Sequence, residues 1–266
     1  MLLRLPEPYD FQVSTERFRV FGRDVANLWH EGGLHRVVGE REVRIEEAPG
    51  GVDVEPLDDE TRAIVLKLLG AEFELEPFYA WAGGQPVLAD LVPRITGFRP
   101  PLVPDAFESL VTSITAQQIS LFAAFAIRTR LIEAFGFRAE RAYGFPTRER
   151  IAAVNEEQLV ALGFSRRKAE YVVGLARSDL DLEALRPLDD EEVRARLTAL
   201  RGLGPWTAEW FLARHLARPR AWPAGDLALR KAATVLYGLD VHELGPLLDP
   251  FQNLAAHYLL TGMRTP

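Results

Sequence analysis

The chain has 266 residues, 48% of them apolar and 26% charged, with no cysteine and a formal net charge of −7. Those values suit one or two globular domains and exclude a disordered or fibrous chain. The missing cysteines exclude a disulfide framework, a thiolate nucleophile, an iron–sulfur cluster and a Cys-ligated zinc site.

The chain opens MLLRLPEPYDF, with an Arg and two prolines in the first eight residues, unlike a signal peptide. Residues 11 to 55 read as β structure: Phe18-Arg-Val-Phe-Gly alternates, Leu34 to Ile45 has strand composition, and Ala48-Pro-Gly-Gly-Val-Asp-Val is a turn into a further strand. Asp58-Asp-Glu-Thr then precedes an apolar run ending at Gly70, the pattern of a capped helix. These features predict a small antiparallel sheet with a helix on it over 1–77. From 78 to 266 the pattern is helical almost throughout. Pro100-Pro-Leu-Val-Pro is a linker-like break. Helix starts are expected at Pro104-Asp105, Ser120, Pro146-Thr147, Asn155, Ser165 and Leu188-Asp-Asp. The longest apolar run, Leu121 to Ile127, has seven residues, whereas a membrane span needs about 20. A cytoplasmic protein is expected.

Charge is unevenly spread. Residues 1–110 carry 11 Lys/Arg and 20 Asp/Glu, and residues 111–266 carry 20 and 18. Arg194 to Lys231 holds eight cations and two anions, and Arg128 to Lys168 holds nine and five. Arginine supplies 28 of the 31 cations, and its fork suits phosphate. Solvated helix faces explain the same pattern equally simply. The five histidines show no metal-ligand spacing, and there is no P-loop or dinucleotide fingerprint.

The most informative segment is Thr198-Ala-Leu-Arg-Gly-Leu-Gly-Pro-Trp-Thr-Ala-Glu-Trp-Phe-Leu. A helix ends near Leu200, Gly202-Leu203-Gly204 turns, and Pro205 sits at the first position of the next helix, where its missing N–H costs nothing. Free N–H groups at a helix N-terminus bind phosphate; a plain helix connection is the simpler use of such a turn.

The segment LRGLGPWTAEWF resembles the helix–hairpin–helix of DNA base-excision glycosylases, with the hairpin at about 193–212. Trp222-Pro-Ala-Gly-Asp226, about 20 residues on, resembles the Gly/Pro-Asp part of the same signature. Upstream, Pro104 to Ser120 and Leu162-Gly-Phe-Ser-Arg-Arg-Lys-Ala match the expected helices in order, and the bacterial 3-methyladenine DNA glycosylase II branch is the nearest pattern. The strong likeness covers about 100–265. It implies an α+β protein: a TATA-box-protein-like N-terminal sheet domain, then a two-lobed all-helical region around a cleft.

The resemblance also implies roles. Asp226 is the expected catalytic carboxylate, stabilising an oxocarbenium-like transition state beside C1′; an N-cap for the helix that follows is the commoner use of such an Asp, and the two roles are compatible. Trp206 and Trp210, four apart on one helix face, become walls of a base pocket that stacks on cationic alkylated purines, with core packing as the alternative. Leu259 falls where another pocket aromatic is expected, and Tyr258 beside it is the substitute. Gln117, Gln118 and Ile119 fall at the loop that fills the gap left by a flipped base. Ser165, Arg166, Arg201, Gly202, Leu203, Gly204 and Thr207 fall at DNA-contacting positions. The main-chain oxygens of Thr198, Leu200 and Leu203 fall where relatives hold a structural Na⁺ or K⁺; no organic cofactor is expected. Trp206 stands where lyase-type relatives carry a Schiff-base Lys, so no lyase activity is expected.

The expected function is therefore that of a monofunctional DNA glycosylase of base excision repair. It would hydrolyse the N-glycosidic bond of alkylated purines such as 3-methyladenine in duplex DNA by base flipping. Damaged double-stranded DNA is the expected partner, the membrane is not, and the protein is expected to be a nucleoid-associated monomer. A non-catalytic damage binder, or a glycosylase for oxidised or deaminated purines, would carry the same motifs.

Overall fold

The computed structural model describes residues 1–264. Its N-terminal part holds β1 (Leu2–Arg4), the short helices α1 (Phe11–Thr15) and α2 (Arg17–Val20), the strands β2 (Leu28–His30), β3 (Gly33–Val38), β4 (Arg41–Ala48) and β5 (Gly51–Glu55), and α3 (Asp59–Leu68). The strands form one antiparallel sheet in the order β1-β5-β4-β3-β2. Leu34 pairs with Ile45 and Ile45 with Val54, so the apolar positions of three strands stack on one face. Leu3, Leu34, Ile45 and Val54 pack there against Val65 and Leu68 of α3. Asp58 caps α3, its side chain accepting from Thr61 N.

Residues 11–20 depart from the expected strand. Asp10 accepts from Val13 N and starts α1, and Phe11, Ser14, Thr15 and Phe18 are buried at helical spacing. The alternation at Phe18-Arg-Val-Phe is therefore one buried helical Phe followed by a bend. Pro100-Pro-Leu-Val-Pro is not a linker either. It crosses the interior, with Arg99 and Leu102 buried, Val103 N donating to Arg214 O at 2.7 Å, and the Arg99 guanidinium donating to Phe73 O.

Two helical lobes follow. One is built from α4 (Leu75–Ala82), α5 (Pro86–Leu91) and the C-terminal helices. The other comprises α6 (Ala106–Ala116), α7 (Leu121–Phe135), a small hairpin of β6 (Phe137–Arg138) and β7 (Tyr143–Gly144), α8 (Arg148–Ala152), α9 (Glu156–Ala161), α10 (Arg166–Arg177), α11 (Asp190–Thr198) and α12 (Pro205–Arg214). The chain then returns to the first lobe with α13 (Leu227–Tyr237), α14 (Val241–Leu247) and α15 (Gln252–Gly262). The caps fall at Asp105, Ser120, Thr147, Asn155, Ser165 and Asp189, each side chain accepting a backbone N–H of the first turn. Among the described residues no helix is long and apolar enough to cross a membrane.

A buried ion network joins the sheet to the second lobe. Arg128 on α7 pairs with Asp24 from the N-terminal part and, at 2.6 Å, with Glu108 on α6. Arg36 on β3 reaches the other Glu108 oxygen at 2.7 Å and Asn27 at 2.7 Å. Asn27 in turn donates to Asp24 at 3.0 Å. Burial opposes the charge on Asp24, but Arg128 and Asn27 hold its carboxyl below the usual range. Two carboxylates face two guanidiniums, so the charges balance. Removing one partner leaves its neighbours buried and uncompensated, which costs about 3–5 kcal/mol. Arg128→Met should therefore lower the unfolding free energy by about that amount in denaturant melts. Asp90→Asn, at an exposed pair with Arg94, should change it by less than about 1 kcal/mol.

Candidate active site

A cleft opens where the lobes meet. Its walls come from four places: Ser109, Thr112 and Ala116 of α6 with Phe125 and Arg128 of α7; Trp206, Trp210 and Arg214 of α12; Asp226 with His257, Leu260 and Thr261 of α15; and Ser14, Arg17 and Phe21 of the N-terminal part.

Asp226 caps α13. Its Oδ1 accepts from Ala228 N at 2.9 Å and Leu229 N at 3.1 Å. Its Oδ2 accepts the indole N–H of Trp210 at 3.2 Å. One oxygen thus serves the helix, while the other is held at the cleft by a side chain of the opposite lobe. With donors on both oxygens, the side chain has little freedom left. Gly225 lets the loop lie flat on Trp206: a Cβ there would sit 3.3 Å from Trp206 Cδ1. Trp206 is partly exposed and is the open aromatic wall. Trp210 reaches the cavity too but is only 5% exposed. The Arg214 guanidinium lies 4.0 Å over its ring, and His257 packs 5.7 Å away.

The cleft is rich in cations. Burial pushes the Arg17 guanidinium down to about 10, so it stays charged at neutral pH. Burial, and then the neighbouring Arg17, push Arg214 well below its ordinary value, with Asp226 acting in the opposite direction. Burial keeps His257 neutral, reinforced by the positive charge of Arg214. Arg214 Nε and His257 Nε2 are buried with no protein hydrogen-bond partner. Leaving such a donor unpaired ordinarily costs about 1–3 kcal/mol.

The hairpin lies at the N-terminus of α12. Gly202 has φ of 92°, and a Cβ there would lie 2.1 Å from Tyr171 Cγ, so glycine is required. Leu203 N donates to Leu200 O at 3.1 Å. The amides of Arg201, Gly202, Gly204 and Trp206 donate to no protein acceptor among the described residues, and they sit at the positive end of a ten-residue helix. The Thr198 and Leu203 carbonyls likewise accept no hydrogen bond there, and Leu200 O accepts one. This hard-oxygen donor set fits an alkali cation.

Some expected site residues lie elsewhere. Tyr258 is not a pocket wall. It is fully buried in the C-terminal lobe, 4.8 Å from Phe78 and 5.3 Å from Phe98, and its hydroxyl donates to Phe98 O at 2.9 Å. The phase of α15 turns 257, 260 and 261 to the cleft instead. Gln117 is engaged inside the protein, its amide donating to Gly202 O at 2.9 Å and Thr207 Oγ1 at 3.1 Å. Thr207 and the Leu203 side chain are buried, so neither side chain offers a DNA contact. Gln118 and Ile119 are exposed on the α6–α7 loop, Gln118 with φ of 55°, in the left-handed region that a non-glycine residue adopts at a cost. Phe122 continues that apolar rim. Ser165 caps α10, beside exposed Arg166. Arg201 is exposed and pairs with Glu170 at 3.1 Å. The sequence reading missed Arg17, Arg214 and His257. The net positive stretch around the hairpin pointed weakly to Arg214, and nothing local pointed to the other two.

The family model described as the HhH-GPD superfamily base excision DNA repair protein matches residues 111–243. A DNA-3-methyladenine glycosylase of Bacillus subtilis is 29% identical over 226 residues, covering 78% of this chain and 75% of that protein. The solved 3-methyladenine DNA-glycosylase from Archaeoglobus fulgidus superposes with a TM-score of 0.89 at 28% identity, covering 99% of this chain and 98% of that one. A Schizosaccharomyces pombe 3-methyladenine DNA glycosylase in complex with abasic DNA superposes with a TM-score of 0.58 at 28% identity, covering 67% of this chain and 92% of that one. With the hairpin, the capping aspartate and the two-lobed cleft in place, the chain belongs to the HhH-GPD superfamily of base excision DNA repair proteins.

Proposed function

We propose that the protein is a monofunctional DNA glycosylase that releases alkylated purines, 3-methyladenine among them, from duplex DNA. The observation that carries this reading is the Asp226 carboxylate, fixed from both sides at the mouth of an aromatic cleft. The family match and the 3-methyladenine glycosylases among the similar proteins support the substrate class.

The hairpin amides hold a backbone phosphate, and the oxygens of Thr198, Leu200 and Leu203 would hold an alkali cation, which would add positive charge to the hairpin. The damaged nucleotide leaves the stack and its base enters the cleft against Trp206, while Gln118 and Ile119 fill the gap. As the C1′–N bond breaks, its electron pair goes to the base and positive charge builds on the sugar. Asp226 stabilises that charge. A water oxygen then bonds to C1′ and its proton passes to the carboxylate or to solvent. An alkylated base that was cationic departs neutral, which makes it a good leaving group.

Hydrolysis is favoured over lyase chemistry by the placement of the three lysines. Lys67 donates to Pro104 O, Lys168 donates to Thr115 O, and Lys231 is exposed on α13; none lines the cleft. The reaction calls for no organic cofactor and no second copy of the chain.

Wild-type protein incubated with methylated DNA is expected to release 3-methyladenine and leave intact strands with abasic sites. Asp226→Asn should cut release by about 10²–10³-fold while keeping DNA binding. Binding without release by the wild type would make the protein a damage binder instead. The hairpin has its own test. Gly204 is the N-cap of α12 in extended conformation, with open space where a Cβ would go. Gly204→Asp supplies a good cap, so thermal stability should hold or rise by a few tenths of a kcal/mol. The same carboxylate repels phosphate, so DNA affinity should fall about tenfold or more, with a shallower salt dependence. Unchanged affinity would reduce the hairpin to a plain helix connection.

A further inference from the structure

The proposed base pocket holds two guanidiniums that no carboxylate is free to neutralise. Arg17 comes from α2 of the N-terminal part and Arg214 from the end of α12, and both line the cavity. Neither guanidinium makes a hydrogen bond or ion pair among the described residues. Their nearest acids are already engaged. Asp24, the acid beside Arg17, is held by Arg128, Asn27 and two backbone amides. Asp226, the acid beside Arg214, has one oxygen on the cap of α13 and the other on Trp210. Arg214 is held flat by the Trp210 ring at 4.0 Å, and its Nε is buried without a partner. His257, 5% exposed, brings a second unpartnered nitrogen, Nε2 of its ring, to the same cavity.

A cavity lined by fixed, unspent donors is built for acceptors. The face of Trp210 that a cationic base could use already carries the protein's own cation. Resting on the glycosylase reading above, we infer that Arg17 and Arg214 are specificity-determining residues that donate to the edge of the flipped base, so that neutral keto-purines are taken up alongside the cationic alkylated ones. The guanidinium fork matches the O6 and N7 acceptors of such a purine. A cationic base meets two like charges instead. Guanine carries the same edge, so this contact sorts bases already flipped. Damaged are told from undamaged by how easily the pair opens. The N-terminal part, on this reading, takes part in selection as well as in folding.

The test compares two lesions in otherwise identical duplexes, hypoxanthine (neutral, with O6 and N7) and 3-methyladenine (cationic), using the full-length protein. Arg17→Met should lower kcat/KM for hypoxanthine release at least about tenfold more than it lowers that for 3-methyladenine release. Arg17→Lys, which restores a donor, should recover part of the hypoxanthine activity. A purely structural role, or a grip on a backbone phosphate, would lower both lesions by the same factor and would overturn the inference. Should the wild type release no base at all, the glycosylase reading fails, and binding still decides this inference. Asp226→Asn should bind the hypoxanthine duplex more tightly than the matched undamaged duplex, and adding Arg17→Met should erase the difference. A difference that survives without Arg17, or that never exists, overturns it.

Discussion

The arrangement of the whole cleft depends on one buried ion network. Arg128 lies at its centre, bonded to Asp24 on one side and Glu108 on the other, and Arg36 closes the ring through Glu108 and Asn27. Such a network contributes little net stability over an apolar core of the same shape, because desolvation offsets most of the attraction. Its effect is geometric. Each carboxylate accepts from two different elements, so β3, α6, α7 and the segment after α2 can adopt only one register against each other. The Glu42 carboxylate repeats the device nearby, accepting from the Arg141 and Ala142 amides and meeting His35 at 2.7 Å. Two independent charged contacts therefore seat the sheet on the second lobe, and that seating brings Ser14, Arg17 and Phe21 to the cleft.

The second constraint is that Asp226 caps a helix and is also the carboxylate of the proposed reaction. A helix N-cap needs a short acceptor in extended conformation, which Asp226 provides with φ of −76° and ψ of 124°. A carboxylate that stabilises a developing sugar cation must be charged and rigid before the reaction begins. The cap holds one oxygen rigid, and the Trp210 indole holds the other. Trp210 thus positions the carboxylate more than it stacks on a base. It sits on the second lobe while Asp226 begins a helix of the first, so their hydrogen bond also ties the lobes together across the cleft.

Legibility in the sequence followed the range of the interactions. The hairpin, the capping residues Asp105, Ser120, Asn155 and Ser165, and Asp226 itself were readable because each is a local device, in which a few neighbouring residues determine the backbone. The β4–β5 turn was readable for the same reason. The misreadings are where local cues were degenerate. Phe18-Arg-Val-Phe suits a strand as well as a helix end, and only burial of Phe11, Ser14 and Phe18 against the sheet decides. Tyr258 and His257 are adjacent on α15, and which one meets the cleft depends on how the helix is rotated in its lobe. Arg17 was out of reach altogether. Its role arises from the docking of two parts of the chain, and its own segment was assigned the wrong periodicity.

The electrostatics of the cleft run against the acidic total. The chain carries −7 overall, yet among the described residues the pocket gathers unspent guanidiniums around a single carboxylate. Concentrating like charges in a half-buried cavity destabilises the free protein, since burial works against the charged forms of Arg17 and Arg214, and neighbouring arginines add to it. Folding tolerates this because the ion network and the Asp226 cap over-determine the surrounding backbone. On the inference above, a ligand that supplies acceptors offsets that cost. Stacking on Trp206 acts on any base, whereas relief of the arginines acts only on bases and backbones with acceptors to offer. The first therefore sets how readily bases enter, and the second sets which of them stay long enough for Asp226 to act.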